Sequence, residues 1–119
     1  HFQQFVALMR LCYAQKMVEI LEWVDQTAPI GRENLKSFLR YATRMIRENY
    51  MMNLQINDLV YLTEEEKSFS GKFSVYIHEN NAGKIYNAFN KAYRDLQMNG
   101  HIKTLLLDLS IQLMKLLRL

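Results

Sequence analysis

The side chains able to do chemistry are few and scattered. His1, His78 and His101 stand at the ends of segments, far from the four-residue spacing at which two histidines on one helix face hold a metal ion. Cys12, the single cysteine, falls on the apolar side of a helical run, where a thiol packs as a small hydrophobe and has no base within reach to activate it. Glu64, Glu65 and Glu66 are consecutive, and neighbouring residues on a helix point in different directions, so they do not converge on an ion. No Gly-x-x-x-x-Gly-Lys-Ser/Thr run is present to cradle a phosphate. The seven methionines fall mainly at core spacing. This pattern predicts no catalytic residue, no metal ligand and no cofactor site in the segment.

Two polar arrangements remain. Arg32, Lys36, Arg40 and Arg44 recur every four residues, which gives a basic stripe along one helix, beside its core face. A solvated face is the plain reading of such a stripe. Contact with an acidic partner subunit or a phosphate backbone are the alternatives. No exposed aromatics interleave with the stripe, which weakens the nucleic-acid reading. Tyr41, Tyr50, Tyr86 and Tyr93 are polar groups of the sort that line a small-molecule cavity, although tyrosines at helical spacing are more often packing residues.

The elements that position these residues read as helices. Phe5, Leu8, Met9 and Cys12, then Met17, Ile20, Leu21 and Val24, form two amphipathic runs, as one continuous helix or a pair. Trp23 falls beside the exposed face of the second run and reads as a partly buried packing residue. Thr27 to Gly31 is the one stretch where proline and glycine cluster, so a turn belongs there. A long helix is predicted over 31–53, then a connecting segment at 57–62 with at most one helical turn. Thr63 caps the next helix with Glu66 at the capping-box position. Its Ser68, Ser70, Gly71 and Ser74 make it poor by propensity, so packing must hold it. After a polar turn from His78 to Gly83, Asn80 or Asn81 caps a helix carrying Ile85, Phe89, Ala92, Tyr93 and Leu96. Asn99-Gly100 closes that helix.

The last stretch has two apolar sides. Ile102, Leu105, Leu106, Leu109, Leu113, Leu116 and Leu117 share a broad face, while Leu107, Ile111 and Met114 form a second stripe across from it. A helix apolar on two sides is normally surrounded by protein. It is therefore expected to be the central helix of a bundle, with contact to another subunit through the second stripe as the alternative.

Composition agrees with an all-α fold, a compact bundle of about five main helices forming a single domain over 1–119. Half the residues are hydrophobic, with one proline and four glycines, too few for a many-turned β fold. The net charge is +3, and all of the excess lies between Gly31 and Leu54; the rest of the chain carries ten basic and ten acidic residues. So modest an excess does not by itself imply nucleic acid. Lys103, Asp108, Gln112 and Lys115 interrupt the last apolar run, so no membrane span is expected. Cytoplasm is the default compartment, in the absence of a signal-peptide pattern at the start. The abrupt opening on Phe2, Phe5 and Val6, with no initiating methionine, suggests the C-terminal fragment of a longer chain.

Several segments carry a family resemblance: Phe5-Val6-Ala7-Leu8-Met9-Arg10-Leu11-Cys12-Tyr13; Glu22-Trp23-Val24; Ile30-Gly31-Arg32-Glu33 with Lys36, Phe38-Leu39 and Tyr41-Ala42; and Met45-Ile46-Arg47-Glu48-Asn49-Tyr50. Leu62-Thr63, Glu65-Glu66, Phe73 to Ile77 and Ala92-Tyr93 extend it over nearly the whole chain. The pattern resembles the C-terminal domains of bacterial DNA polymerase III delta-prime subunits, components of the clamp loader.

The resemblance implies a non-catalytic helical collar module that packs against the corresponding domains of other clamp-loader subunits. Together these domains form a ring above the ATPase-type modules of the machine that places the sliding clamp on primed DNA. The full-length resembling protein belongs to a DNA polymerase holoenzyme, a nucleotidyltransferase complex. The family's nucleotide-fold and zinc-binding portions have no counterpart in these segments, so ATP response, metal binding and clamp contact are not carried over. The expected partners are the other clamp-loader subunits, with the sliding clamp and DNA engaged only through the full complex and no small-molecule substrate. The expected subunit interface combines Leu107, Ile111 and Met114 with Arg40, Arg44 and Arg47. The alternative function is a nucleic-acid-binding helical module using the basic stripe of the 31–53 helix.

Overall fold

A computed structural model describes residues 1–119. It contains six α-helices and no strand: α1 Phe2–Ala14, α2 Met17–Thr27, α3 Arg32–Asn53, α4 Glu64–Phe73, α5 Ala82–Gln97 and α6 Ile102–Leu116. Six helices stand where about five were expected because the opening run divides. Gln15 adopts a left-handed backbone at φ 56°, and the N–H groups of Gln15 and Lys16 turn back to the Cys12 and Leu11 carbonyls. That closure ends a helix by satisfying its last carbonyls.

The split folds α2 back along α1, and the Trp23 indole N–H donates to the Gln4 carbonyl at 3.3 Å. Trp23 is buried, not beside an exposed face, while Met17 and Leu21 are exposed. The inward stripe of α2 is Ile20, Trp23, Val24 and Thr27. Burying the indole removes more apolar area from water than burying Met17 or Leu21, and its polar edge still finds an acceptor.

A 3₁₀ turn at Ala28–Ile30 and Gly31 at φ 97°, a backbone angle that suits glycine, lead into α3. α3 matches the predicted span and buries Leu35, Phe38, Leu39, Ala42, Met45 and Ile46. Its main neighbour is α5, through Ile85, Phe89 and Leu96. The connecting segment holds one 3₁₀ turn at Asn57–Leu59. α4 opens with the expected capping box: Glu66 N–H donates to the Thr63 hydroxyl and Thr63 N–H to the Glu66 carboxylate. Its low propensity is offset by packing and by the buried Ser70 hydroxyl, which accepts from the Asn49 side-chain amide at 3.1 Å.

Asn81 opens α5 without capping it through its side chain. The buried Asn81 amide instead donates to the carbonyls of Tyr76 and Leu116 and accepts from His78 N–H, tying the turn to the end of α6. At the other end of α5, Asn99 takes the left-handed angle, φ 64°. Gly100 is needed for space: a Cβ there would lie 2.8 Å from Leu105 and 2.9 Å from the Asp95 carbonyl.

One continuous core draws side chains from all six helices, with Phe5, Phe38 and Phe89 fully buried at its centre. α6 is not the enclosed central helix. It packs on α1, α2 and α5 through Leu106, Leu109 and Leu113, while Ile111 stays exposed. Of its second stripe, Met114 packs partly against the core and Leu107 is half-buried, so the stripe is covered only in part. No helix is long and apolar enough to cross a membrane.

Candidate subunit interface

The second stripe of α6 does not stand alone. Lys103, near the start of α6, pairs with Asp25, near the end of α2, at 3.1 Å, and the two helices pack against each other. Val18 is 66% exposed, Leu21 44% and Ile111 38%. Leu107 is half-buried, and Met114 is partly buried against the core. The exposed Val18 and Leu21 of α2 and Ile111 of α6 make an apolar ridge, a surface of the kind that marks protein contact sites.

The basic stripe is drawn into the fold instead of being left to solvent. Arg32 donates to the carbonyls of Leu96 at 2.8 Å and Gly100 at 3.2 Å, closing the end of α5. Lys36 and Arg40 lie over the Tyr93 ring, and Arg40 also donates to the Tyr93 hydroxyl. Arg44 reaches Glu66 at 3.1 Å and the Tyr61 carbonyl at 3.0 Å. Arg47 pairs with the buried Glu48, which accepts from Tyr61 N–H. These cations hold α5, α4 and the 57–62 segment against α3. Arg40 and Arg44 therefore lie among α3, α4 and α5, apart from the α2–α6 seam that carries Leu107, Ile111 and Met114. The two halves of the expected interface do not form one continuous surface.

Glu66 is the electrostatic centre of that network. Burial alone would raise its pKa, but hydrogen bonds from the Tyr41 hydroxyl, Thr63 N–H and Arg44 outweigh it and hold the carboxyl below its usual range. Burial and the Glu66 carboxylate push the Tyr41 phenol up in turn. The arrangement keeps one anion and one neutral phenol across neutral pH, which suits a structural clamp. Of the four tyrosines considered as cavity groups, Tyr41 and Tyr93 serve these contacts, Tyr50 is half-buried and Tyr86 is exposed.

Cys12 is fully buried and burial pushes its thiol up to about 12. Its sulfur faces the Ser110 carbonyl at 3.6 Å. His101 opens α6, its ring accepting from Thr104 N–H, and His78 and His1 lie at other element ends. No three His, Cys, Asp or Glu side chains are gathered as a metal site.

A groove of about 760 Å³ runs between α1 and α4, and none of the residues singled out in the sequence as sites lines it. Phe2, Val6 and Tyr13 form one wall, Phe69, Phe73 and Tyr76 the other, with Arg10 and Lys72 among the lining groups. Each wall repeats at three and four residues, the spacing of ordinary core. The signal available was the excess of apolar groups on α1, where Phe2 and Tyr13 extend the core stripe on one flank.

The chain finds no match among known protein families, curated proteins or solved structures. The functional reading therefore rests on the residues and on their arrangement.

Proposed function

We propose that this domain is a non-catalytic assembly module, the collar domain of a DNA polymerase III clamp-loader subunit of the delta-prime type. The observation that carries the proposal is the apolar ridge of exposed Val18, Leu21 and Ile111, with half-buried Leu107 on the same helix as Ile111, on an otherwise well-packed helical domain. A ridge of this kind serves to hold a neighbouring subunit. Its role in the cell is to help assemble the cytoplasmic complex that loads the sliding clamp onto primed DNA during replication. The partners are the other clamp-loader subunits, and the clamp and DNA are met through the assembled complex.

The resemblance in Phe5 to Tyr13, Ile30 to Ala42 and Met45 to Tyr50 supports the choice of this assembly over other helical ones. A nucleic-acid-binding module is disfavoured because Arg32, Arg40, Arg44 and Arg47 all have partners within the fold. The test is capture of the other clamp-loader subunits by the wild-type domain and by Leu107→Asp/Ile111→Asp, after circular dichroism has shown that the variant folds. Capture by wild type and loss in the folded variant is the expected result. Failure of the wild-type domain to capture any clamp-loader subunit would overturn the proposal.

A further inference from the structure

The α1–α4 groove grades from apolar depth to charged rim. Val6, Met9 and Phe73 are its buried lining groups, and Phe2, Tyr13 and Phe69 are half-buried. Arg10, Lys72 and Glu65 line it from exposed positions. A groove of about 760 Å³ with a mostly apolar lining and a few polar groups has the make-up of a small-molecule site. Its two walls also touch each other. Phe2 meets Phe69 edge to face with ring centroids 6.1 Å apart, and Tyr13 lies 4.6 Å from Tyr76. About 16 Å of α1 separates Phe2 from Tyr13, at 1.5 Å per residue. A helix, about 10 Å across, would have to part both contacts to lie along the groove. An acyl chain or an aryl ring would not.

The three charges are unevenly placed. None of Arg10, Lys72 and Glu65 belongs to an ion pair within the domain, so two cations and one anion leave a single positive charge uncompensated. In chain order Arg10 and Lys72 both fall between the Phe2–Phe69 and Tyr13–Tyr76 contacts. Glu65 falls outside them, one turn of α4 before Phe69 and roughly 10 Å along the helix from Lys72. The Arg10 guanidinium lies over the Phe69 ring, 5.9 Å from its centroid. An acid group near Arg10 and Lys72 therefore meets two cations, with the Glu65 carboxylate toward the opposite end.

We propose that the α1–α4 groove binds a small amphiphile with one acid group, its acyl or aryl body against Phe2, Val6, Phe69 and Phe73 and its acid held by Arg10 and Lys72. The apolar body supplies affinity through burial. The head group supplies selectivity, because hydrogen bonds from Arg and Lys to a carboxylate are charge-assisted. Glu65 sets the direction of the ligand by disfavouring an acid at the Phe2 end. The groove shares no residue with the α2–α6 ridge, so the proposal does not depend on the assembly reading.

Titration with dodecanoate below its micelle concentration, followed by the backbone amide shifts of the whole domain, tests it. The largest shifts are expected in α1 and α4, with a Kd on the order of 10⁻⁴ M. Decanoate, two methylenes shorter, should bind about tenfold more weakly. Arg10→Gln/Lys72→Gln, at exposed positions, should weaken dodecanoate binding by about tenfold or more, and Glu65→Gln should tighten it about twofold. Dodecyltrimethylammonium, with the same chain and the opposite head charge, should bind about tenfold more weakly than dodecanoate. Absence of shifts at millimolar dodecanoate overturns the proposal, as do shifts centred outside α1 and α4. Equal binding of the two head groups, or wild-type affinity in the Arg10/Lys72 variant, overturns it as well. Shifts in α1 and α4 produced by a clamp-loader subunit and not by dodecanoate would assign the groove to a protein partner. Shifts there on concentrating the domain alone, with none from dodecanoate, would assign it to a second copy, and either result removes the proposal.

Discussion

Asp25 and Lys103 pair at 3.1 Å across the seam between α2 and α6, the two helices that expose Val18, Leu21 and Ile111. If the ridge is a contact surface and not part of the core, Val18→Asp and Ile111→Asp should each change stability by less than about 1 kcal/mol. Leu113→Ala, at a fully buried position on the same helix, should cost about 2–5 kcal/mol. Urea unfolding of the three variants checks the contrast.

Glu66 ties stability to pH on the acid side. Its folded pKa lies below the ordinary value, so its contribution is present above the unfolded pKa, about 4.3, and is lost as pH falls through the lower folded value. Glu66→Gln should cost roughly 1–3 kcal/mol at pH 7, with the gap to wild type narrowing as pH falls below the unfolded value. Urea unfolding at pH 7, 5 and 3 measures it.

Tyr41 gives the mirror image at high pH. The folded phenol pKa is raised, so its contribution is complete below the unfolded value of about 10 and is lost as pH rises toward the folded one. Tyr41→Phe should remove part of the alkaline loss of stability while costing about 1 kcal/mol at pH 7. Thermal melts between pH 8 and 11 follow both effects.

Cys12 should be inert until the domain opens. With the thiol pushed up to about 12, its thiolate fraction at pH 8 is roughly 10³-fold below that of a free cysteine near pKa 8.5. A thiol-specific chromogenic reagent should label native protein at least that much more slowly than protein in denaturing urea.

The partnered basic stripe predicts a stability effect instead of a DNA effect. Arg44→Ala removes donors to Glu66 and the Tyr61 carbonyl and should cost about 1 kcal/mol, moderated by the exposure of the guanidinium. Binding of the wild-type domain to duplex DNA should stay weaker than roughly 10⁻⁴ M at physiological salt, and Arg44→Ala should leave it unchanged. Unfolding curves and fluorescence anisotropy separate the two.

Local chemistry made much of the fold legible in advance. The α3 span, the Thr63–Glu66 capping box and the turn at Pro29 and Gly31 follow from backbone preferences and from a 3.6-residue period, all of which act within a few neighbouring residues. Where two neighbouring residues competed, local rules did not choose. Trp23 displaced Met17 and Leu21 from the core, and Asn99 took the left-handed angle while Gly100 made room for Leu105 and the Asp95 carbonyl.

The sequence by itself determined that the chain is helical, where most of its helices run, and that α6 has a second apolar stripe, because periodicity and capping are short-range. The tertiary structure alone decided the fate of that stripe and of the charges. The Asp25–Lys103 pair joins α2 to α6, a groove lies between α1 and α4, and Glu66, Tyr93 and the Leu96 carbonyl take up Arg44, Arg40 and Arg32. Those partners lie 22 to 78 residues apart along the chain, so only the packing of distant helices brings them together.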